Sequence, residues 1–411
     1  LVGSEMCIRD RLFLFSIGGF TFVVFKTYKM NDMKGKQGLV CMGLLLVLSS
    51  CSCHTGKQIT ASGLQRKDFQ TEVNGQHTDL FTLSNKQGME VCITNYGARV
   101  VSILVPDRNG KREDVVCGFS TITEYMEQRQ NFGSTVGRYI GRILNARFTL
   151  DGVEYKLVPN NGKSGHISHG GNPGFADRIW KVEQADTHRV RLSYLSPDGE
   201  NGFPGNLKVT LVYSLGEDDN ALDLTYEATT DAPTVLNLSH HSFFNISGNF
   251  TKSVEDQQLW VDADRFTPYD DKKCVTGEYL PVAGTPLDFR MPHTIGECID
   301  ADHPQLKVVN GYDHTWELNT KGDDTRPAAW VYDPASGRKM EIFTTEPGMQ
   351  IYTGNGLKGK MTGKGGIAYP FRSAVCFETM HFQDSPNQPG FPSTVLRPGE
   401  VFRSHTVYKF E

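Results

Sequence analysis

Residues 221–228 read ALDLTYEA and show the clearest alternation of apolar and polar side chains in the chain. In an extended strand the apolar side chains share one face: Leu222, Leu224, Tyr226 and Ala228. Residues 209–213, just upstream, are rich in strand-forming residues, and residues 216–220 (GEDDN) supply a turn between the two segments. This stretch therefore predicts an antiparallel hairpin with one buried face.

Short alternating segments of the same kind continue in both directions, from about residue 69 onward. Turn signals separate them at residues 107–110, 151–152, 197–199 and 336–337. Helical periodicity is scarce, with a short helix expected at residues 123–130. The spacing of strands and turns predicts an all-β fold, a large antiparallel β-sandwich with few short helices.

Composition narrows the function classes. The 411 residues are 38% hydrophobic and 22% charged, the profile of a soluble globular protein. The net charge of -5 argues against nucleic acid as a partner, because phosphate binding needs a basic face. The nine cysteines form no C-x-x-C pair, so no zinc-ribbon or thioredoxin-like site is indicated. The cysteines beyond residue 66 are expected to be small buried hydrophobes, with a Cys274–Cys298 disulfide left open.

The N-terminal region has the pattern of an export signal. Residues 33–53 read MKGKQGLVCMGLLLVLSSCSC, a short basic start and a short apolar stretch before a sequence that resembles the lipobox of bacterial lipoproteins. We predict a lipoprotein signal peptide at 33–51 with lipidation at Cys51, a polar tether at 52–65 and the main domain at 66–411. Residues 1–32 are interpreted as an upstream, non-native segment. The expected location is exported, either periplasmic or anchored to the outer membrane through the lipid alone; a plain signal peptide is the alternative.

Residues 235–244 (VLNLSHHSFF) place polar side chains within a predicted strand. As one strand, His240 shares a face with leucines, whereas His241 shares the other with Asn237, Ser239 and Phe243. A polar face with an aromatic edge suits a sugar, whose hydroxyls need hydrogen bonds and whose C–H faces need an apolar surface. This favours His241 over His240 as the working histidine; a solvated strand face without a role is the alternative.

Residues 371–382 (FRSAVCFETMHF) carry Glu378 inside an almost continuous apolar run, the pattern of a buried strand. A carboxylate there needs a partner or a proton, because burying a bare charge is costly. Burial would also raise its pKa toward the range useful to a general base. A structural salt bridge is the alternative.

Two further segments carry histidine among turn-forming residues. His166 and His169 lie in a glycine-rich stretch, residues 165–174, where the chain can approach a ligand closely. They could form a metal pair, but no third ligand follows at a known zinc spacing, and we predict no metal. Asp313 and His314 are flanked by aromatic residues in 311–316, where a turn-forming aspartate is the alternative.

Together, these segments resemble the aldose 1-epimerase (galactose mutarotase) family from about residue 69 to the end. Seven pieces in the family's order carry the resemblance: 95–98 (NYGA), 137–143 (GRYIGRI), 169–171 (HGG), 236–248, 311–314 (GYDH), 347–355 (PGMQIYTGN) and 377–379 (FET). The resemblance implies a β-sandwich of the galactose mutarotase type. It also implies an isomerase that interconverts the α and β anomers of free aldoses such as glucose and galactose.

The resemblance implies the site residues as well. Glu378 would take the proton from the anomeric hydroxyl and His241 would protonate the ring oxygen, so that the ring opens and recloses as the other anomer. The sugar would be held by further residues: Arg142, His169, Asp313, Gln350 and Phe243. No metal or organic cofactor is expected, because no hydride or electron moves. The expected partner is a free monosaccharide, bound by a monomer.

Two positions depart from the family's pattern. The family usually has Asn where Gly141 precedes Arg142, and Asn-His-Ser-Tyr where residues 240–243 read HHSF. Losing an amide and a phenol near the site is expected to shift the preferred hydroxyl pattern without abolishing activity.

Two other functions stay open from the sequence. An exported glycoside hydrolase would use Asp313 and Glu378 as its carboxylate pair, but this leaves His241 and His169 without clear roles. A non-catalytic carbohydrate-binding sandwich would need neither acid nor base at an anomeric centre. The identity of the natural aldose also stays open.

Overall fold

A computed structural model describes residues 12–17, 20–25 and 58–411. The chain divides into two compact units, and the boundary between them falls between Thr55 and Gly56. In the first unit, β1 (Leu12–Ile17) and β2 (Phe20–Phe25) form an antiparallel hairpin. The predicted signal peptide and Cys51 lie outside the described residues. Among the helices of the described part, none has the length and apolar character needed to cross a membrane.

The second unit consists mainly of short strands. In chain order they are β3 (Glu72–Val73), β4 (Gln76–His77), β5 (Leu80–Ser84), β6 (Glu90–Thr94), β7 (Arg99–Pro106), β8 (Arg112–Asp114), β9 (Ser134–Val136), β10 (Arg142–Ile143), β11 (Arg147–Leu150), β12 (Val153–Lys156), β13 (Ile167–Ser168), β14 (Lys181–Ala185), β15 (Arg189–Ser196), β16 (Leu207–Leu215), β17 (Ala221–Thr230), β18 (Thr234–Val235), β19 (Ser239–His241), β20 (Phe243–Phe244), β21 (Gln258–Val261), β22 (Arg265–Thr267), β23 (Leu280–Pro281), β24 (His293–Thr294), β25 (Asp313–Glu317), β26 (Ala329–Tyr332), β27 (Lys339–Thr344), β28 (Gly348–Tyr352), β29 (Val375–Met380), β30 (Val395–Leu396) and β31 (Phe402–Phe410).

Helices are few and short, as the sequence predicts. The α-helices of the described residues are α1 (Ile122–Gln128) and α2 (Pro304–Val309). A capping box of Thr121 and Glu124 begins α1, because each side chain satisfies a backbone N–H that the first turn leaves free. Short 3-10 turns complete the set: Arg66–Phe69, Leu144–Ala146, Gly162–Ser164, Phe175–Asp177, Glu200–Gly202, Ile295–Glu297, Lys364–Gly366 and Ser385–Asn387.

Three antiparallel sheets form the sandwich. The largest has nine strands in the order β14-β15-β16-β17-β31-β27-β26-β21-β24, the second has six in the order β20-β29-β28-β25-β22-β23, and the third has four, β5-β6-β7-β8. One hydrophobic core joins all three, with Leu224 from the first sheet, Phe377 from the second and Val91 from the third. This confirms the predicted antiparallel β-sandwich.

The hairpin of β16 and β17 follows the prediction closely. Its register runs from Leu207 opposite Thr230 to Leu215 opposite Leu222. The predicted inward side chains are all buried: Leu222, Leu224, Tyr226 and Ala228. Burial of a large apolar side chain of this kind stabilises the fold by roughly 1.5–3 kcal/mol, which explains why the alternation determines the pairing.

The single strand predicted for residues 235–244 is wrong. The segment forms three short strands, β18, β19 and β20, which pair with β30, β9 and β29 respectively. Both faces are buried, so the polar side chains need partners within the protein. Asn237 finds them by bonding the backbone N–H and C=O of His381, each at 3.0 Å, where the strand is interrupted. The alternative of a solvated strand face is excluded.

The cysteines of the described residues are all free thiols. Cys92, Cys117 and Cys376 are buried, as predicted, while Cys274 and Cys298 are half-buried and unpaired. The Sγ of Cys274 lies 3.3 Å from Nε2 of His166 instead of in a disulfide.

Candidate active site

A cavity of about 240 Å³ brings together the seven residues that the sequence assigned to catalysis and sugar binding. These are Arg142, His169, His241, Phe243, Asp313, Gln350 and Glu378. Sequence reasoning missed six other lining residues: Gln130, Asn131, Ser168, Tyr352, Met380 and Gln383. The volume suits a small ligand such as a monosaccharide, since pockets for drug-sized ligands measure roughly 300–1,000 Å³.

Strand register explains why residues distant in sequence meet here. In the six-stranded sheet, Gln350 on β28 lies opposite Glu378 on β29 and opposite Thr315 on β25. Asp313 is two residues before Thr315 and therefore projects from the same side of the sheet. Asp313 begins a strand rather than forming the turn that the sequence left open.

Glu378 and His241 form a close buried pair. The Oε1 of Glu378 lies 3.4 Å from Nε2 of His241, and both side chains are almost fully buried. Burial, helped by the charge of Asp313, raises the pKa of Glu378 well above its usual range. Burial also lowers the pKa of His241 well below its usual range. Both groups are therefore driven toward their neutral forms.

The ring of His241 is oriented by stacking. It lies 5.0 Å from the ring of Phe243 with an angle of 9° between the planes, and 5.6 Å from the ring of His169, edge to face. Its Nδ1 is buried and has no hydrogen-bond partner among the described residues. Phe243 therefore serves as the flat support that fixes His241 against Glu378.

His169 is placed as a neutral hydrogen-bond donor. Its Nδ1 accepts the backbone N–H of Gly141 at 3.4 Å, which leaves the ring proton on Nε2. Burial, and then the nearby Arg142, lower the pKa of His169 to about 4. Its loop can fold here because Gly170 follows: a Cβ at Gly170, where φ is +78°, would lie 1.9 Å from the carbonyl oxygen of Gly137.

Arg142, Asp313 and Gln350 supply polar groups to the cavity. The Nε2 of Gln350 donates to Oδ1 of Asp313 at 2.6 Å, and its Oε1 accepts from the hydroxyl of Thr315 at 2.5 Å, so the amide has a fixed orientation. Burial raises the pKa of Asp313, while Arg142 opposes that shift. The backbone carbonyl of Arg142 accepts from the N–H of Asp384 at 2.8 Å, which holds its strand in place.

The histidines that sequence reasoning set aside have structural roles. His240 points into the core, where its Nε2 lies 2.7 Å from the hydroxyl of Ser242. The Nδ1 of His166 accepts the N–H of Asn145 at 2.9 Å, and its Nε2 faces Cys274, so it does not pair with His169 around a metal.

One group of donor atoms in the described residues could approach a cation. His241, Cys376 and Glu378 each offer a ligand atom within 4.8 Å of the others. Burial raises the pKa of the Cys376 thiol well above its usual range, which keeps the sulfur protonated and a weak ligand. The group therefore suits proton transfer better than metal binding.

A second, larger groove of about 610 Å³ lies near the start of the domain. Its polar residues serve the fold: Asp79 pairs with Arg66, and Asn95 bonds the carbonyls of His77 and Trp180. The side chains of its His77–Glu72 pair are 3.8 Å apart and mostly exposed to water, whereas those of the His241–Glu378 pair in the smaller cavity are buried.

Comparison with known proteins agrees with this geometry. The sequence profile of the family described as Aldose 1-epimerase matches residues 79–409. The chain belongs to the aldose 1-epimerase family. A galactose mutarotase of Sus scrofa is 39% identical over 330 residues, covering 80% of this chain and 93% of its own. The aldose 1-epimerase of Escherichia coli K12 is 36% identical over 339 residues, covering 82% and 96%.

Solved structures of aldose epimerases share the fold. An aldose epimerase homologue from C. elegans matches with a TM-score of 0.75 and 31% identity, covering 81% of this chain and 99% of its own. A galactose 1-epimerase from Lactobacillus acidophilus matches with a TM-score of 0.72 and 28% identity, covering 83% and 97%. This aldose 1-epimerase is thus an isomerase that interconverts the α and β anomers of a free sugar, and the hydrolase and pure-binder alternatives are not favoured.

Proposed function

We propose that this aldose 1-epimerase acts on free hexoses of the glucose and galactose type, with Glu378 as general base and His241 as general acid. The observation that carries the assignment is the 3.4 Å contact between these two buried groups in the cavity. The relatives named galactose mutarotase support galactose as a substrate.

The reaction starts from the ion-pair form, a carboxylate at Glu378 and an imidazolium at His241, which differs from the neutral form of the pair only by one proton moved from Glu378 to His241 across their 3.4 Å contact. Glu378 takes the proton of the anomeric O1–H, the C1–O5 bond breaks, and His241 protonates O5. The product is the open aldehyde beside a neutral acid and a neutral imidazole. Burial favours these neutral forms, so the site stabilises the ring-opened stage. Rotation about C1–C2 and the reverse proton transfers then give the other anomer.

The remaining residues position the sugar during this rotation. His169 donates its Nε2–H to the ring-oxygen side, while Arg142, Asp313 and Gln350 bind hydroxyls. Phe243 holds the plane of His241. A carboxylate, an amide and a guanidinium in one cavity supply both acceptors and donors, which matches hydroxyls that act in both ways.

Polarimetry on freshly dissolved α-D-glucose and α-D-galactose tests the assignment. Glu378→Gln and His241→Asn are each expected to lose about 10²–10⁴-fold of the rate above the spontaneous one, the usual contribution of a general acid or base. The matched controls are Glu154→Gln and His188→Asn, at exposed positions. Full activity in either site variant would overturn its assignment. A wild-type protein that leaves both hexoses at the spontaneous rate would overturn the hexose proposal.

We also propose that the protein works as an exported, monomeric lipoprotein, supplying the anomer that a later sugar-consuming step requires. The support is the lipobox-like sequence ending at Cys51. Expression from Met33 in a bacterium, with Cys51→Ala and Cys53→Ala as a matched pair, tests it. Only Cys51→Ala is expected to release the protein from the membrane fraction and remove the lipid mass. An unlipidated, cytoplasmic wild-type protein would exclude the proposal, and sedimentation of the purified domain tests the monomer.

A further inference from the structure

The space beside Gly141 is already filled. Gly141 has a φ of +77°, and a Cβ at this position would lie 2.5 Å from Cγ and 3.1 Å from Cδ of Gln383. Real Cβ atoms essentially never lie 2.5 Å from another heavy atom, so a side chain at position 141 would require Gln383 to move. The amide expected before Arg142 is missing, and the side chain of Gln383, which also ends in an amide, fills the space beside Gly141.

Gln383 is buried, lines the cavity and is held firmly. Its Nε2 donates to the hydroxyl of Tyr269 at 2.7 Å, and its Oε1 accepts the backbone N–H of Arg142 at 3.3 Å. The next residue, Asp384, donates its own N–H to the carbonyl of Arg142. The amide is thus fixed against the strand that carries Arg142.

The amide keeps hydrogen-bonding capacity to spare. A glutamine offers two N–H donors and a carbonyl with two lone pairs. One N–H of Gln383 goes to Tyr269, and the other faces Oε1 of Gln350 at 3.4 Å, which is long for a hydrogen bond. One lone pair serves Arg142. A lone pair and a weakly used N–H remain on a group that faces the cavity, which suits a hydroxyl that both accepts and donates.

We propose that Gln383 is a specificity-determining residue that hydrogen-bonds one hydroxyl of the aldose beside Arg142. The inference rests on the proposed function. A site built to bond a hydroxyl discriminates against an analogue that lacks it, because the protein's polar group is then left unpaired. Gln383 therefore selects among aldoses by hydroxyl pattern, in place of a side chain at position 141.

A series of deoxy sugars tests the hydrogen bond directly. We would measure kcat/KM of the wild type, Gln383→Ala and the exposed control Gln184→Ala on glucose, galactose and xylose. The series adds the 2-, 3-, 4- and 6-deoxy forms of the two hexoses and the 2-, 3- and 4-deoxy forms of xylose. Gln383→Ala is expected to lose about tenfold on the parent sugars and nothing on the one analogue that lacks the bonded hydroxyl. An equal loss on every sugar would assign Gln383 only to positioning Arg142. That result, or no loss at all, would overturn the proposal.

Transplanting the amide tests the shared space. Gly141→Asn alone is expected to lower kcat/KM, because its side chain collides with Gln383. Adding Gln383→Ala removes the collision and leaves the amide of the introduced asparagine in the same space. The kcat/KM of the double variant is therefore expected to exceed that of either single variant. Wild-type activity in Gly141→Asn alone would show that the two side chains do not compete, and would overturn the replacement.

Binding separates this proposal from the proposed function. Titration calorimetry of the same sugars on Glu378→Gln, with and without Gln383→Ala, needs no turnover. Weaker binding of the parent sugar, but not of one deoxy analogue, supports Gln383 even if the wild type proves inactive as a mutarotase. If each sugar binds with the same affinity whether or not Gln383→Ala is present, the proposed role of Gln383 is excluded even if the wild type is active.

Discussion

The strand β17 and the segment 234–244 differ in regularity although both alternate in sequence. β17 runs for ten residues and pairs along its length with β16 and β31. The segment changes partner at each of its three short strands. β17 buries one face and leaves the other partly wet, whereas the segment is buried on both faces. A strand with one buried face needs only alternation, while one buried on both faces must find a partner for every polar side chain.

The largest expected effect separates the two regions by function. His241→Asn in the segment is expected to remove about 10²–10⁴-fold of the mutarotase rate while the melting temperature changes little, because it acts on chemistry. Leu224→Ala in β17 is expected to leave the rate per folded molecule unchanged. Polarimetry with thermal melting of the same samples checks both. Comparable rate losses in the two variants would contradict the separation.

Packing in β17 gives the next effect. Leu224 is fully buried, so Leu224→Ala removes its transfer energy and leaves a cavity, a cost of about 2–5 kcal/mol in the free energy of unfolding. The neighbouring Thr225→Ala, on the outward face, is expected to change that free energy by less than about 0.5 kcal/mol. Urea unfolding measures both. Equal costs would mean that the alternation does not set the buried face.

The hairpin could be predicted from sequence because its information is local. The four apolar positions of β17 and the turn at 216–220 lie within a few residues of each other, and period-two burial follows from strand geometry alone. Glu378 was also detectable, since a lone carboxylate in an apolar run has few structural explanations. By contrast, the register that sets Gln350 opposite Glu378 depends on pairing between distant strands, and only the family resemblance suggested that grouping.

Gln383 shows what local patterns cannot reveal. It follows β29 outside any strand, and nothing in its neighbourhood marks it as polar and buried by design. Its place in the cavity depends on the missing side chain of Gly141, which becomes its neighbour only through the tertiary fold. The breaks in 234–244 were missed for a similar reason, because the bonds of Asn237 go to the backbone of His381.

His240 provides a smaller effect that sharpens the comparison, since it is the inward neighbour of His241. His240→Asn is expected to cost about 1–3 kcal/mol at pH 7, because Ser242 and Tyr213 lose a buried partner, without changing the rate per folded molecule. Burial lowers the pKa of His240 to about 3, below the unfolded value of 6.5. The contribution of the neutral His240 ring to the free energy of unfolding is fully present above pH 6.5 and is lost as pH falls from 6.5 toward 3.

Unfolding at pH 7 and pH 4.5 checks this prediction. The gap in unfolding free energy between the wild type and His240→Asn is expected to narrow at pH 4.5, because only the wild type must then keep this histidine unprotonated against the unfolded chain's preference. The exposed His188→Asn is the matched control. A gap that stays constant would mean that His240 takes up its proton inside the fold at its ordinary pKa.

The smallest effect lies on the outward face of β17, where charge rather than packing contributes. His405 on β31 contacts Asp223 at 2.5 Å and Asp324 at 2.6 Å, and these hydrogen bonds, Asp223 first, raise its pKa to about 9. Its stabilising effect is therefore complete below the unfolded pKa of 6.5 and is lost as pH rises through about 9. Because the side chain is 31% exposed, the contribution is expected to stay under about 1 kcal/mol.

The difference in unfolding free energy between the wild type and His405→Gln should be largest at pH 6 and vanish near pH 10, with His188→Gln as control. A difference that grows with pH would show that the neutral ring of His405, and not its charged form, stabilises the outward face of β17. The buried and outward faces of this strand would then differ in packing alone.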